Sequence, residues 1–316
     1  MRFNPKARLD RSQVQNRRGS SGGGGGGLGF PVGGGGRGGM KVGGGIGGVI
    51  VLIIIVLLNS GILGDGGGTT TSPGAGPQSD VRNESGEFTQ CRTGADANSD
   101  PDCARVAVVN SIQSFWSQTL PQQSGQQYAE VDTVIFSDQV NTECGAATSQ
   151  VGPFYCPVDK LVYLDTTFFK DMLEGQLGGT GGDFAEAYVL AHEYGHHVQD
   201  LLGTMGRVRT QQGANSDAVR LELQADCYAG MWTRFATEAE DENGEVLIQN
   251  LNQQDIEEAL DAARAVGDDR IQQQTTGRVN PDAWTHGSAE QRMRWFTIGR
   301  EKGQLQACDT FAARQL

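Results

Sequence analysis

The chain has 316 residues, with 25 Lys and Arg against 38 Asp and Glu and a formal net charge of −13. Many of its 47 glycines and several of its bases fall before residue 65, where such a composition excludes a packed core. Beyond that point about 230 residues remain, long enough for one domain with a substantial core.

Residues 1–41 carry Arg2, Lys6, Arg8, Arg11, Arg17, Arg18, Arg37 and Lys41 against one acid, Asp10, and are expected to form a disordered, Gly-rich cytoplasmic tail. A basic tail also suits nucleic acid, but its position beside an apolar run points to anionic lipid headgroups, so a membrane and no nucleic acid is the expected partner. Residues 42–63 include V-I-V-L-I-I-I-V-L-L from Val49 to Leu58, and no charge interrupts them. With flanking glycines they reach the roughly 20 residues that cross a bilayer as one transmembrane helix. A cleaved signal peptide is the rival reading; the long N-terminal region and the lack of an A-x-A site after Leu58 favour an uncleaved anchor. Because Lys and Arg precede the span, a single pass is expected to leave the N-terminus in the cytoplasm and the remainder extracytoplasmic, in a bacterial envelope.

Residues 64–86 read as a flexible Thr/Ser/Gly/Pro linker, and residues 87–316 as the domain. Without the eight bases and one acid of the tail, 17 basic residues face 37 acidic ones, a net of −20. That acidity favours solubility and cationic peptides and identifies no substrate. All six cysteines follow the apolar run, and an even set in an exported domain suggests disulfides. Spacing does not choose among the connectivities; the expected pairs are Cys91 with Cys103, Cys144 with Cys156, and Cys227 with Cys308. No C-x-x-C occurs, which argues against a second metal site.

Cys103 to Leu120 is expected to be helical, with Val106, Val109, Ile112, Phe115 and Trp116 at helical spacing. Val131 to Phe136 and Lys160 to Asp165 are β-rich. A strand edge there suits an extended peptide, and ordinary core strands suit the pattern equally.

The segment A-E-A-Y-V-L-A-H-E-Y-G-H-H-V-Q-D-L-L-G follows, with Leu190, Tyr194, Val198 and Leu201 on one helical face. Asp183 with Glu186 reads as an N-terminal cap, and Gly203 closes the other end. On such a helix His192 and His196 stand one above the other and can grip one zinc ion, with Glu193 beside it as general base. His197 points about 100° away and reads as structural or solvent-facing. Gln199 and Leu202 stand where H-E-x-x-H-x-x-G-x-x-H enzymes carry Gly and His, which excludes that class. A second amphipathic helix opens at Ser216 and carries Val219, Leu223, Cys227 and Met231 every fourth position. Glu222 and Asp226 share a face of it, Glu222 as third ligand and Asp226 as the carboxylate fixing a ligand imidazole. A merely solvated acidic face is the alternative, and Glu186, Glu238 and Cys227 are weaker ligand candidates. Asn252 to Gly267 reads as a further helix, and Ser288 with Gln291 caps another through Met293, Phe296 and Ile298.

The E-x-x-x-D spacing resembles zinc peptidases with a glutamate third ligand, the gluzincins. The basic Gly-rich start, the apolar span, G-P-F-Y-C-P-V-D-K-L-V-Y-L-D from Gly152, A-H-E-Y-G-H-H-V-Q from Ala191, E-L-Q-A-D-C-Y-A-G from Glu222 and the His286 segment together resemble the bacterial family of putative neutral zinc metallopeptidases. The resemblance implies a membrane-anchored zinc peptidase acting on a peptide or protein substrate, and leaves the substrate itself open. The stretch T-H-G-S-A-E-Q-R-M-R is similar to one in membrane-associated gluzincins. That similarity would make His286 a donor to the oxyanion and Arg292 a support, although Gly287 stands where those enzymes commonly carry proline.

The expected fold is α+β, a mainly helical, zincin-like domain with a small antiparallel sheet beside the histidine helix, preceded by one transmembrane helix. The expected function is hydrolysis of peptide bonds by zinc-activated water. The rivals are a zinc-stabilised envelope scaffold and a zinc amidase acting on cell-wall peptides.

Overall fold

The computed structural model describes residues 1–19 and 88–316, so the expected membrane span at 42–63 and linker at 64–86 lie outside the described residues. The chain runs β1 (Arg2–Phe3), β2 (Val14–Asn16), the one-turn α1 (Gly94–Ala97), α2 (Pro101–Ser124), β3 (Thr133–Phe136), the hairpin β4 (Gln139–Thr142) and β5 (Gly145–Thr148), β6 (Phe154–Cys156) and β7 (Leu161–Asp165). After a π-helical turn (Phe169–Glu174) come α3 (Asp183–Leu201), α4 (Asp217–Phe235), β8 (Ile248–Asn250), α5 (Gln253–Ala265), α6 (Asp268–Thr276) and α7 (Ala289–Lys302). This is an α+β architecture, mainly helical, with small sheets. Among the described residues no helix is long and apolar enough to cross a membrane.

Most helix ends follow local chemistry. Ser216 Oγ accepts from Val219 N, Asn252 caps α5, and Ser288 and Gln291 form a reciprocal box at α7. Asp100 and Pro101 start α2, which buries Val106, Val109, Ile112, Phe115 and Trp116 and runs past Leu120 to a left-handed stop at Gly125. The expected cap of α3 is different. Asp183 is the first helical residue, not the cap, and Glu186 pairs with Arg105 on α2. The amide of Phe184 instead donates to Glu258 Oε2 at 3.1 Å, so α5 supplies the acceptor. Gly203, with φ of 69°, ends the helix as expected.

The main sheet corrects the expectation of an antiparallel one. Its order is β2-β3-β7-β6; β2, β3 and β7 are parallel, and only the β6–β7 edge is antiparallel. β3 and β7 run the same way because β6, between them in the chain, carries it back and the short turn at 157–160 reverses it again into β7. Every residue of β3 is buried, as a strand with neighbours on both sides and helices nearby requires. The sheet does lie beside α3, where Tyr194 Oη stands 2.9 Å from Thr133 Oγ1 and donates to Val131 O at 3.2 Å.

The largest departure is at the N-terminus, where residues 1–18 are folded and do not form the start of a disordered tail. Phe3, Ala7, Leu9 and Val14 join the main core, each large side chain contributing about 1.5–3 kcal/mol by burial. Arg18 pairs with Asp102 at 2.5 Å, and the amide of Arg8 donates to Asp241 Oδ2 at 2.6 Å. Composition alone hid this because the acids that hold this segment, Asp102 and Asp241, are far along the chain.

The three disulfides form as expected. Cys91–Cys103 ties the start of the domain to α2, Cys144–Cys156 ties the β4–β5 hairpin to edge strand β6, and Cys227–Cys308 ties α4 to the C-terminal segment.

Candidate metal centre

Two close helix approaches build the site. A Cβ at Gly195 would stand 3.1 Å from Ala225 Cα, so the glycine inside H-E-Y-G-H lets α4 lie close against α3. On the far side of α4, a Cβ at Gly299 would meet Cys227 O at 1.9 Å, and one at Gly230 would meet Phe296 O at 2.0 Å. Only two glycines facing each other's backbones permit α7 to sit there.

The first approach brings Glu222 to the histidines. Its Oε2 is 3.2 Å from His192 Nε2 and its Oε1 3.5 Å from His196 Nε2, and all three residues are buried. One ligand atom from each residue lies within 4.8 Å of the others.

The tautomers follow from the partners. His192 Nδ1 is 2.8 Å from Asp226 Oδ1, which can only accept when ionised, so Nδ1 carries the hydrogen. The Gln199 amide nitrogen donates to Leu221 O at 2.6 Å and Gln224 Oε1 at 3.1 Å, which turns its oxygen toward His196 Nδ1 at 2.8 Å. Both Nε2 lone pairs therefore face the Glu222 carboxylate, and acceptors alone converge at one buried point. Such a set calls for positive charge at that point, a proton on an imidazole in the metal-free protein or a bound metal, and two imidazoles with one carboxylate fit zinc with a coordination position left open.

The electrostatics point the same way. Burial opposes a charged His192, yet the charge and hydrogen bond of Asp226, with Glu222, raise it to about 10. His196 is likewise raised against its burial, chiefly by Glu222. Glu222 is held well below the usual carboxylate range, its burial overcome by His286 and His196. Glu193, adjacent to His192, has its carboxyl pushed up by burial, and its Oε2 accepts the Tyr155 amide of β6 at 3.0 Å.

The second approach supplies the support behind His192. Arg292 on α7 donates from Nε to Asp226 Oδ2 and from Nη2 to Oδ1, both at 2.9 Å, and Tyr188 Oη donates to Oδ1 at 2.5 Å. Arg292 is buried and Asp226 has no exposure at all. His286 approaches the same Glu222 oxygen as His192, its Nε2 4.0 Å from Oε2. One carboxylate oxygen, Asp268 Oδ2, gathers the amides of Thr285, His286 and Gly287 and so fixes the loop. Gly287 has φ of 92°, a value closed to proline, which accounts for the departure from the resembling enzymes.

His192, Glu193, His196, Glu222 and His286 all line one cavity of about 110 Å³, whose apolar wall includes Phe168, Met172, Val189 and Ile271. The structure brings together every metal-ligand and support residue singled out from sequence. The weaker candidates fall elsewhere, Glu186 on Arg105 and Cys227 in a disulfide. Of the two readings of His197 the structural one holds, since it is buried with Nε2 2.6 Å from Ala129 O. Sequence reasoning missed Gln199 and Tyr188 as supports, though each stands one helical turn from a ligand histidine, and missed Asp268, which only the tertiary fold reveals. Another acidic grouping, Asp183, Asp255 and Glu258, receives the Met1 ammonium, 2.5 Å from Asp255.

The model of a family described as "Putative neutral zinc metallopeptidase" matches residues 1–311. Uncharacterized proteins of Mycobacterium bovis and Mycobacterium tuberculosis are each 54% identical over 232 residues, 73% of this chain and 77% of theirs. The uncharacterized protein YpfJ of Escherichia coli K12 is 43% identical over 212 residues, 65% of this chain and 69% of its own. No solved structure matches the chain.

Proposed function

The chain belongs to the family so described, and from that premise we propose that it is a zinc-dependent metallopeptidase with a zincin-like fold, attached to the membrane of a bacterial envelope. The observation that carries the reading is the convergence of His192 Nε2, His196 Nε2 and the Glu222 carboxylate, acceptors only, beside a buried Glu193 in one cavity.

Zinc held by these three residues would supply a water of pKa about 7 and polarise the scissile carbonyl. Glu193, pushed up by burial, is suited to take a proton from the attacking water and pass it to the leaving amine. The Tyr155 amide holds one oxygen of that carboxylate in place. His286, in a loop fixed by Asp268, would donate to the oxyanion of the substrate. Asp226 and Arg292 act through His192 by holding its ring. The apolar wall accepts a hydrophobic part of a peptide or protein substrate, and β6, an edge strand next to Glu193, suits an extended peptide added as a further strand. Three disulfides agree with an oxidising compartment.

The test is zinc content and peptide release by the purified full chain beside Glu193→Gln. The substitution is expected to keep the zinc and abolish turnover, and undiminished release would remove Glu193 from the mechanism. A folded, disulfide-intact chain without zinc would overturn the peptidase reading, and the zinc-stabilised scaffold with it.

A further inference from the structure

Residues 2–18 make contacts that a passenger tail does not make. β2 adds to β3 in parallel, Val14 opposite Thr133, Gln15 opposite Val134 and Asn16 opposite Ile135, and the amide of Arg17 continues the ladder to Ile135 O at 2.8 Å. β1 pairs with β8. Asn98 grips Phe3 at both backbone groups, accepting from its N at 3.0 Å and donating to its O at 2.9 Å. Asn110 on α2 does the same for Asp10 at 2.9 and 2.8 Å.

The domain is also shaped to receive the segment. The amide of Gly94 donates to Ala7 O at 2.9 Å, and a Cβ at Gly94 would stand 2.0 Å from Asn4 O. A bare backbone at this point is a cradle for the strap and nothing else. Charge is complementary in composition as well, since the segment carries Arg2, Lys6, Arg8, Arg11, Arg17 and Arg18, the rest of the domain is rich in acids, and Arg18 pairs with Asp102.

Arg18 supplies the geometric consequence. It pairs with Asp102, and its guanidinium lies 5.8 Å from the centre of the Phe88 ring. The chain therefore leaves the described structure after Gly19 and rejoins it at Phe88 at one place on the domain surface.

We propose that residues 2–18 are a permanent strap of the domain and share its side of the membrane, so the apolar run at 42–63 does not separate them by a single crossing. A single crossing would put about 30 Å of hydrocarbon between β2 and β3. It would also leave the edge of β3 unpaired and Phe3, Leu9 and Val14 without their core. The inference does not depend on the zinc reading.

The experiment uses the full chain in intact cells. Its six cysteines are all paired, so a single added cysteine reports cleanly. Arg11→Cys on the strap and Gln127→Cys on the domain, both exposed, are treated with a membrane-impermeant maleimide before and after permeabilisation. The same response at both positions is expected. Labelling of Gln127→Cys in intact cells with Arg11→Cys protected until permeabilisation would overturn the proposal. Protection of both would uphold co-sidedness while overturning the envelope location. Docking itself is read from Gln15→Cys with Asp132→Cys, whose native side chains touch at 2.7 Å. An intramolecular cross-link by a short bis-maleimide, which spans the gap left when the two side chains are cut back to cysteine, is expected in the membrane-bound chain, and its complete absence would overturn the strap.

Discussion

The two histidines of the candidate metal centre stand one turn apart on one helix, yet they are held by different means. His192 leans on Asp226, a fully buried carboxylate that is clamped by Arg292 from α7 and by Tyr188 from the same helix. His196 leans on Gln199, a neutral amide whose other bonds run to Leu221 O and Gln224 on α4. The charged support makes the histidine more basic and a stronger ligand, but it stakes the site on a distant helix. The neutral support orients the ring without adding charge and needs only the α3–α4 contact.

The His192 side is therefore the costlier one to disturb. Asp226→Ala leaves the Arg292 guanidinium buried without its partner and is expected to cost about 3–5 kcal/mol of stability. Zinc affinity should fall roughly 10- to 100-fold, read by chelator competition, with unfolding followed separately. An unchanged affinity in a folded variant would remove Asp226 as a support.

Gly299→Ala attacks the same side from a distance. The new Cβ would fall 1.9 Å from Cys227 O, so α7 must move and carry Arg292 off Asp226. A loss of about 3 kcal/mol, the upper part of the overpacking range, is expected together with weaker zinc binding. Wild-type stability by chemical denaturation would mean that α7 is not pinned where the structure places it.

Gln199→Leu tests the neutral side. It takes the donor from the Gln224 oxygen and the acceptor from His196 Nδ1, a cost of about 1–3 kcal/mol, and lets the His196 ring turn. Zinc affinity should fall less than in Asp226→Ala, and an equal or larger fall would break the comparison.

The last test is a pH slope that changes no residue. In the metal-free protein His192 is raised from 6.5 to about 10, despite burial, by Asp226 and Glu222. A raised folded value means that its contribution is complete below 6.5 and is lost as pH climbs through about 10. The metal-free chain should therefore lose stability across that window, while the zinc-loaded one, with no proton there to lose, should not. Calorimetry of both forms across the window checks this, and parallel curves would show that His192 carries no such proton.

The site was far more legible in the sequence than the fold around it. His192 with His196, and Glu222 with Asp226, are pairs at i and i+4, and helix geometry alone puts each pair on one face. The caps at Ser216, Asn252 and Ser288 are equally local, each closing within three residues. Gln199 and Tyr188 were within reach of the same reasoning, one turn from each histidine, but a Gln or Tyr at that spacing has too many other uses to stand out.

What residues 192–226 determined by themselves was which side chains face together, because a helix sets its faces over three or four residues. The tertiary structure decided what they face. Glu258, rather than a local side chain, caps the helix of the histidines, because the bend at Gly182 carries its first free amides toward α5. Gly195, Gly230 and Gly299 set two interhelical distances that no spacing along one helix encodes. Phe3, Ala7, Leu9 and Val14 follow no helical or strand period in a basic segment, so they read as tail; they are core because Gly94, Asn98 and Asn110, far along the chain, offer the backbone partners that make their burial favourable. Local bonds are written in neighbouring residues, whereas a buried surface requires both of its sides, and the second side exists only once the chain has folded.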